Sequence, residues 1–219
     1  MKSIGMLALA LFAVLSSPLH ALCEDVAHFN KLDIPASEAR LSELARVREF
    51  RCSYELPQFS QANLLIAEYY KDGKRVKVFP LAHAKYDTRL KKTTGIISIG
   101  WHRDLHNLIS VHDNGDMYTP WTASISLPDF TPADLCYFKD SSPEARKPES
   151  ESGMDFTLYP VMGICGQREK KISYQDVKDK DSFLSACTQA GAKDMVLIYL
   201  YMSANDDHPS MPFTDPLPQ

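Results

Sequence analysis

Two turn signals between β-prone segments constrain the fold of this chain more than any other feature. Residues 71–74 are Lys-Asp-Gly-Lys, and they separate two β-prone segments, residues 64–70 and 75–79. An Asp-Gly pair favours the tight turns of two-stranded hairpins, because both central positions of such a turn take positive φ. A second signal, Asp-Asn-Gly-Asp at residues 113–116, follows the β-prone residues 108–112 in the same way. The sequence therefore predicts two antiparallel hairpins.

The spacing of apolar residues predicts further strands. Residues 121–127 carry apolar side chains at odd positions and hydroxyls at even ones, which is typical of a strand with one face on a core and one in water. Residues 50–55 alternate in a similar way, and residues 95–101 form another β-prone segment. Residues 195–202 are apolar throughout, as expected of a central strand covered on both faces. These patterns predict an antiparallel, β-sandwich-like core.

Two other segments show helical spacing. Residues 37–47 place Leu41, Leu44 and Val47 on one side of a predicted short N-terminal helix. Residues 181–191 combine an apolar stripe with Asp at the start and Gly at the end, which predicts a second helix. It lies between strands, and this C-terminal strand-helix-strand unit permits one parallel crossover. The predicted fold class is α+β and mostly β, with about eight strands and two short helices.

The composition of its segments divides the chain into five parts. Residues 139–153 contain a single apolar residue among serines, prolines and charges, so they are expected to form an exposed polar loop. This loop separates a β-rich part, residues 22–138, from the strand-helix-strand part of the same domain, residues 154–203. Residues 204–219 form a proline-rich tail, and residues 1–21 differ in kind from all the others.

The first of these parts has the form of a secretory signal peptide. Residues 4–15 are uncharged and apolar, follow a lysine and precede a helix-breaking segment that ends in Ala21. Such a stretch is too short to span a bilayer but fits the hydrophobic region of a signal. Cleavage after Ala21 is expected to release the protein to a periplasm or to the outside. Lipoprotein processing at Cys23 is disfavoured, because a bulky leucine precedes that cysteine.

The expected mature chain is mildly acidic. Cleavage removes one of the 24 basic residues and none of the 28 acidic ones, which leaves a net charge of −5 with histidine neutral. This balance argues against a generally basic nucleic-acid binder. No membrane span is predicted after the signal, because no later segment reaches the roughly 18 consecutive apolar residues that a span requires.

Charge is concentrated in two opposed segments. Residues 71–92 hold eight basic residues against two acids, a local charge of +6, whereas residues 104–155 hold ten acids against three bases, a local charge of −7. A basic surface of this kind could contact an anionic glycan or membrane headgroups. The candidate contact residues are Lys71, Lys74, Arg75, Lys77, Arg89, Lys91 and Lys92. A simpler interpretation is the solvent side of an edge strand, where lysines prevent aggregation.

Five cysteines follow the expected cleavage site: Cys23, Cys52, Cys136, Cys165 and Cys187. Disulfides are the default in an oxidising compartment, and the odd count leaves one cysteine unpaired. Cys165 ends a predicted strand, and Cys187 lies in the helix expected to pack on it. A bridge between these two is favoured over a catalytic role for Cys165. Cys52 has Cys23 and Cys136 as alternative partners.

The densest polar cluster flanks the second predicted hairpin: His102, His106, His112, Asp113 and Asp116. Imidazoles and carboxylates of this kind bind divalent metals such as zinc. However, the spacing of His102 and His106 aligns two side chains only on a helix, and this segment lies between strands. A polar turn without metal is therefore favoured, and no cofactor is expected. Zinc retained by the purified protein, and lost when both histidines are replaced, would favour the metal site.

Short catalytic motifs do not occur in the chain, whether a nucleophile elbow, a phosphate-binding loop, a dinucleotide glycine pattern or His-Glu-x-x-His. The sequence therefore favours an exported ligand- or partner-binding module without catalysis, and no catalytic residue is assigned. The alternative is a metal-assisted hydrolase that uses the cluster at residues 102–116. A third hypothesis, a structural component of an envelope assembly, would require a stable oligomer.

Overall fold

Two antiparallel sheets that pack face to face form the centre of the protein. The computed structural model describes residues 26–56, 62–85, 94–113, 121–146 and 156–203. Within these ranges the strands are β1 (Ala27–Lys31), β2 (Val47–Glu55), β3 (Ala62–Lys71), β4 (Lys74–Lys85), β5 (Thr94–His102), β6 (Asn107–Asp113), β7 (Trp121–Ser126), β8 (Asp134–Tyr137), β9 (Asp140–Ser141), β10 (Glu144–Arg146), β11 (Phe156–Cys165) and β12 (Asp194–Ser203). The helices are α1 (Ala36–Leu44) and α2 (Lys180–Gln189).

The strand order is β7-β6-β5-β2-β1-β9 in the first sheet and β10-β11-β12-β3-β4 in the second, where β8 also pairs with β11. Every pair of neighbouring strands is antiparallel. This arrangement confirms the mostly β, antiparallel fold class that turn signals and alternating polarity predict. Neither α1 nor α2 is long and apolar enough to cross a membrane.

The β3–β4 hairpin forms where the Asp-Gly pair predicts it. Asp72 and Gly73 take φ values of 49° and 77°, as the tight turn requires. The second predicted turn extends outside the described residues, but the strands on either side of it, β6 and β7, do pair antiparallel. Local turn chemistry therefore accounts for the chain reversal between β3 and β4.

The parallel crossover that the C-terminal unit permits does not occur. β11 and β12 are antiparallel neighbours, with Cys165 opposite Met195. The connection that carries α2 leaves and returns at the same end of the sheet, where the Gly166 backbone nitrogen donates to the Asp194 carbonyl oxygen at 2.8 Å. A parallel return would instead require the connection to cross the sheet to its far end.

β12 is buried on both faces, as its uniformly apolar sequence predicts. One set of its side chains packs in the core between the two sheets: Val196, Ile198 and Leu200. The set that alternates with it packs against an outer layer: Met195, Leu197 and Tyr199. α2 contributes Phe183 and Cys187 to this outer layer, and both are fully buried. The protein therefore has three layers, with the second sheet in the middle.

α1 is present where the spacing predicts a helix, but it does not bury its apolar residues. Leu41 and Leu44 are 66% and 81% exposed. Arg46 takes a φ of 56° and turns the chain directly into β2, so the last residue of the predicted helix belongs to the strand instead. Polar contacts hold α1 in place, since Arg51 of β2 donates to the Glu38 carboxylate at 2.7 Å.

The predicted polar loop is partly incorporated into the sheets. β9 pairs with β1, and β10 pairs with β11. Short segments at a sheet edge need only backbone hydrogen bonds, which a polar sequence supplies as well as an apolar one. Residues 147–153 of that prediction lie outside the described residues, as do the predicted signal peptide and the predicted tail.

The start of α2 offers a test of local stability. The Asp179 carboxylate caps the helix by accepting from the Ser182 backbone nitrogen at 2.8 Å and from the Ser182 hydroxyl at 2.6 Å. The hydroxyl contact, and secondly the backbone contact, hold the pKa of Asp179 below its ordinary value of 3.8. We expect Asp179→Ala to lower the free energy of unfolding by about 1 kcal/mol in urea denaturation at pH 7. Asp179→Asn keeps an acceptor oxygen and should lose less.

Acid should distinguish these two variants. Because the folded-state pKa is lowered, the contribution of the carboxylate is complete above about pH 5 and is lost as the pH falls through the folded-state pKa. The stability difference between the original protein and Asp179→Ala should therefore shrink towards pH 3, whereas the difference between the Asn and Ala variants stays constant. Equal losses for both variants at pH 7 would contradict the capping role.

Candidate functional site

A cleft with a volume of about 410 Å³ opens beside β8, at the seam between the two sheets. Four cations and one acid line it: Lys31, Arg48, Arg168, Lys171 and Asp134. The rest of its wall is apolar or aromatic: Phe50, Leu135, Tyr137, Ile172 and Tyr174. We call this site the basic cleft. Its volume lies in the range of about 300–1,000 Å³ that is usual for small-molecule sites.

Two of the cations occupy the last inward-facing positions of β1 and β2. Phe29 of β1 is buried, and Lys31 is the next residue on the same face, because successive side chains of a strand alternate. Phe50 of β2 is likewise buried, and Arg48 is the next residue on its face. Lys31 lies opposite Cys52, which shares the face of Phe50. Lys31 and Arg48 therefore lie at the edge of the core between the sheets.

An ion pair holds the opposite wall of the basic cleft. Arg168 lies in the connection between β11 and α2, and its Nε donates to the Asp134 carboxylate of β8 at 2.6 Å. The Nη2 of Arg168 contacts the same carboxylate oxygen. This pair fastens the connection to β8 and neutralises the acid of the cleft. Four cations against one carboxylate leave the lining with a net charge of +3.

The remaining cations have no acidic partner among the described residues. Arg48 lies over the Phe50 ring, 5.2 Å from its centroid, and donates from Nη1 to the Ala133 carbonyl oxygen at 3.4 Å. Lys31 and Lys171 make no ion pair within the described ranges. Unmatched positive charge in a partly enclosed cleft attracts anions, because low-dielectric walls focus the electric field.

Tyr137 and Tyr174 contribute aromatic surface rather than charge. Burial is the main cause that raises the pKa of both hydroxyls above the ordinary value of 10, so both side chains stay neutral at physiological pH. Neither hydroxyl makes a hydrogen bond of normal geometry within the described part of the chain. The Tyr174 ring stacks on Phe183, with centroids 6.4 Å apart and an interplanar angle of 20°.

A pair of thiols lies in the buried cluster against which Tyr174 packs. Cys165 and Cys187 are fully buried free cysteines of this cluster. The interaction between the two side chains lowers the pKa of Cys165 and raises that of Cys187, because the Cys187 thiol stabilises the Cys165 thiolate. Cys136 belongs to the same buried cluster, and burial raises its pKa to about 11. The structure thus brings the predicted pair together as free thiols.

Cys52 has no cysteine partner among the described residues. It lies in the core between the sheets, whereas Cys136 packs on the other face of the second sheet. The predicted alternative of a bridge between these two is therefore not supported by their positions, and Cys23 lies outside the described residues. Burial raises the pKa of the Cys52 thiol to about 12, which makes it unreactive at neutral pH.

Two of the predicted metal ligands take part in the turn between β5 and β6. His102 is the last residue of β5, and its Nδ1 accepts from the Leu105 backbone nitrogen at 3.2 Å. The His106 ring packs edge-on against Trp101, with centroids 6.3 Å apart. Its Nδ1 lies 3.4 Å from the Phe130 carbonyl oxygen. Both histidines therefore have structural contacts that need no metal.

The other predicted ligands lie at the opposite end of this hairpin. His102 is opposite Asn107, and His112 is five residues further along β6. At about 3.3 Å per residue this separates the two backbones by roughly 16 Å, more than one ion can bridge. Asp113 follows His112, and Asp116 lies outside the described residues. No group of three side chains suited to a metal occurs within the described ranges. The metal site stays a prediction.

The predicted polyanion surface is only partly described. Lys71 and Lys74 face each other across the β3–β4 turn, and both are exposed. Lys77 places its Nζ over an aromatic ring of its own strand, 4.6 Å from the ring centroid. Arg75 instead pairs with the buried Glu68 carboxylate at 3.0 Å, so its charge is matched. Three further candidates lie outside the described residues: Arg89, Lys91 and Lys92.

A larger cleft of about 720 Å³ lies beside β9, β10 and the start of α2. Most of its acids already have partners. Asp140 contacts His28 at 2.8 Å, and Glu144 contacts Lys180 at 3.3 Å. Asp179 caps α2. The basic cleft, whose cations are largely unmatched and whose wall is aromatic, is the better candidate for a ligand site.

Sequence patterns do not reveal the basic cleft, because its lining comes from three distant segments, residues 31–50, 134–137 and 168–174. A local signal nevertheless exists for two of its cations. Lys31 and Arg48 occupy positions where the alternation of β1 and β2 would place another core residue. A cation at the end of an inward-facing series indicates the edge of a core.

The chemistry of the basic cleft is the basis for a functional proposal. No family model, curated protein or solved structure matches this chain.

Proposed function

We propose that the protein is an exported ligand-binding module and that the basic cleft binds an anionic ligand. The observation that carries this proposal is the convergence of Lys31, Arg48 and Lys171 without an acidic partner among the described residues. The proposal of export rests on the signal-like residues 1–21, which would direct the protein to a periplasm or to the outside.

The residues of the cleft favour binding over catalysis. Its one carboxylate, Asp134, is held by Arg168, so it is poorly placed to accept a proton from a substrate. Tyr137 and Tyr174 stay protonated because burial raises their pKa. What remains is a set of permanent cations beside neutral rings, which is an arrangement for holding an anion.

Replacing one lysine of the cleft tests the proposal. We expect Lys171→Ala to weaken binding of inorganic pyrophosphate about fivefold or more at low salt, because removing one nearby charge costs about 1 kcal/mol. Isothermal titration calorimetry gives the affinity, which should also fall as sodium chloride is added. Lys170→Ala is the matched control, since this exposed neighbour does not line the cleft and should leave the affinity within about twofold. Equal weakening by both variants would place the anion elsewhere.

We further propose that Cys165 and Cys187 form a disulfide in an oxidising compartment. Both side chains belong to the same buried cluster, which places the two thiols on the same side of the second sheet. The S–S bond between Cys165 and Cys187 would form while the S–S bond of a disulfide oxidant breaks. The oxidant takes up the two electrons and the two protons and leaves as two thiols. Closing a loop of about 20 residues is expected to stabilise the fold by about 3 kcal/mol.

Peptide mapping tests this bridge. Unreduced digests of protein secreted into an oxidising compartment should contain a linked pair of peptides carrying Cys165 and Cys187. The same digests show whether Cys52, which is buried away from both, is linked to Cys23 or recovered as a thiol. Recovery of Cys165 in alkylated form from the unreduced protein would rule the bridge out.

We also propose that the β3–β4 hairpin contacts an anionic glycan or membrane headgroups. Support comes from Lys71, Lys74 and Lys77, which are exposed and have no acidic partner among the described residues. The protein should then be retained on heparin at physiological salt, and a Lys71→Ala, Lys74→Ala variant should elute at lower salt. Lys139→Ala, an exposed lysine elsewhere, should elute with the original protein. Elution of the original protein in the void volume would remove this proposal.

A further inference from the structure

We infer that the ligand of the basic cleft is a small organic anion in which a flat ring adjoins the charged group, as in an aryl phosphate or an aryl carboxylate. This inference rests on the proposed function and specifies the chemistry of its ligand. It follows from the aromatic wall, from the geometry of Arg48 and from the limited volume of the cleft.

The wall of the cleft is as apolar as it is charged. Phe50, Tyr137 and Tyr174 supply three rings, and Leu135 and Ile172 supply aliphatic surface. An inorganic ion would contact the cations and leave this surface in water. A ligand with a ring covers the same surface and gains the free energy of burying it, which scales with the apolar area removed from water.

Arg48 is arranged for a planar ligand. Its guanidinium lies 5.2 Å from the centroid of the Phe50 ring, which orients the planar group at the wall of the cleft. A guanidinium held in this way can stack on a further ring or donate two parallel hydrogen bonds to a carboxylate or phosphate. Lys171, on the connection that forms the opposite wall, supplies a second positive charge for the same group.

The cleft accepts a ring but no long chain. Beyond Phe50, the space between the sheets is filled by core residues, and Phe29 and Cys52 are fully buried. An extended acyl chain would need a channel into that core. The volume of about 410 Å³ suits one or two rings with an acidic group, and it is too small to enclose a polymer.

Three phosphates separate these possibilities in calorimetric titrations of the full chain. We expect phenyl phosphate to bind about tenfold more tightly than inorganic phosphate, because its ring buries apolar surface of the cleft. Octyl phosphate should bind no more tightly than inorganic phosphate. Lys171→Ala should weaken phenyl phosphate, whereas the neighbouring Lys170→Ala should not. Arg48→Lys keeps the charge but loses the planar group, so it should reduce the ratio of the two affinities.

The outcomes distinguish this inference from the proposed function. If inorganic and phenyl phosphate bind equally well and both depend on Lys171, the ring requirement is overturned while anion binding stands. If octyl phosphate binds more tightly than phenyl phosphate, the ligand carries a chain, and the ring requirement is again overturned. If no phosphate binds, or binding is insensitive to Lys171, then the proposed function itself is wrong.

Discussion

The burial of β12 on both faces is the constraint on which the rest of the structure depends. Its inward side chains pack against the first sheet and its outward ones against α2, so the chain must form three layers. The second sheet separates the core between the two sheets from the outer layer beneath α2, and both apolar regions end at the edge of that sheet. β8 pairs with β11 at this boundary, and the basic cleft lies beside it.

The position of the cleft follows from the cost of burying charge. A cation inside an apolar core is strongly unfavourable unless it is paired, so Lys31 and Arg48 occupy the last inward-facing positions of their strands, where solvent can reach them. The ion pair of Arg168 with Asp134 then brings a third segment of the chain to the same place. Arg48 and Arg168 are therefore held by contacts within the protein, which reduces the ordering that a ligand must impose on them.

Local sequence signals account for the parts of the fold that depend on neighbouring residues. Asp72 and Gly73 specify a chain reversal because few other residues take positive φ, and the apolar run at residues 195–202 has no polar face to expose. The exposure of Leu41 and Leu44 was not predictable in this way. It depends on the turn at Arg46, which leads the chain into β2 while the apolar side of α1 stays exposed.

The same local signals do not predict how distant segments of the chain are arranged. The direction of β12 depends on which end of the sheet the connection returns to, and the apolar pattern is identical for either direction. The basic cleft brings together residues separated by more than one hundred positions, such as Arg48 and Arg168, which line it from different segments. The predicted metal ligands show the converse, since residues close in sequence are separated by the length of a strand.

The stacking of Tyr174 on Phe183 links the outer helix to the wall of the basic cleft. α2 contributes no residue to the basic cleft, yet its Phe183 ring supports the ring that forms part of the wall. A Cβ atom at Gly163 would lie 2.5 Å from that same phenylalanine ring, so the helix has no spare room beneath it. Phe183 thus connects α2 to a ring that lines the cleft. One wall of the cleft is therefore supported from outside, by a helix that contributes no lining residue.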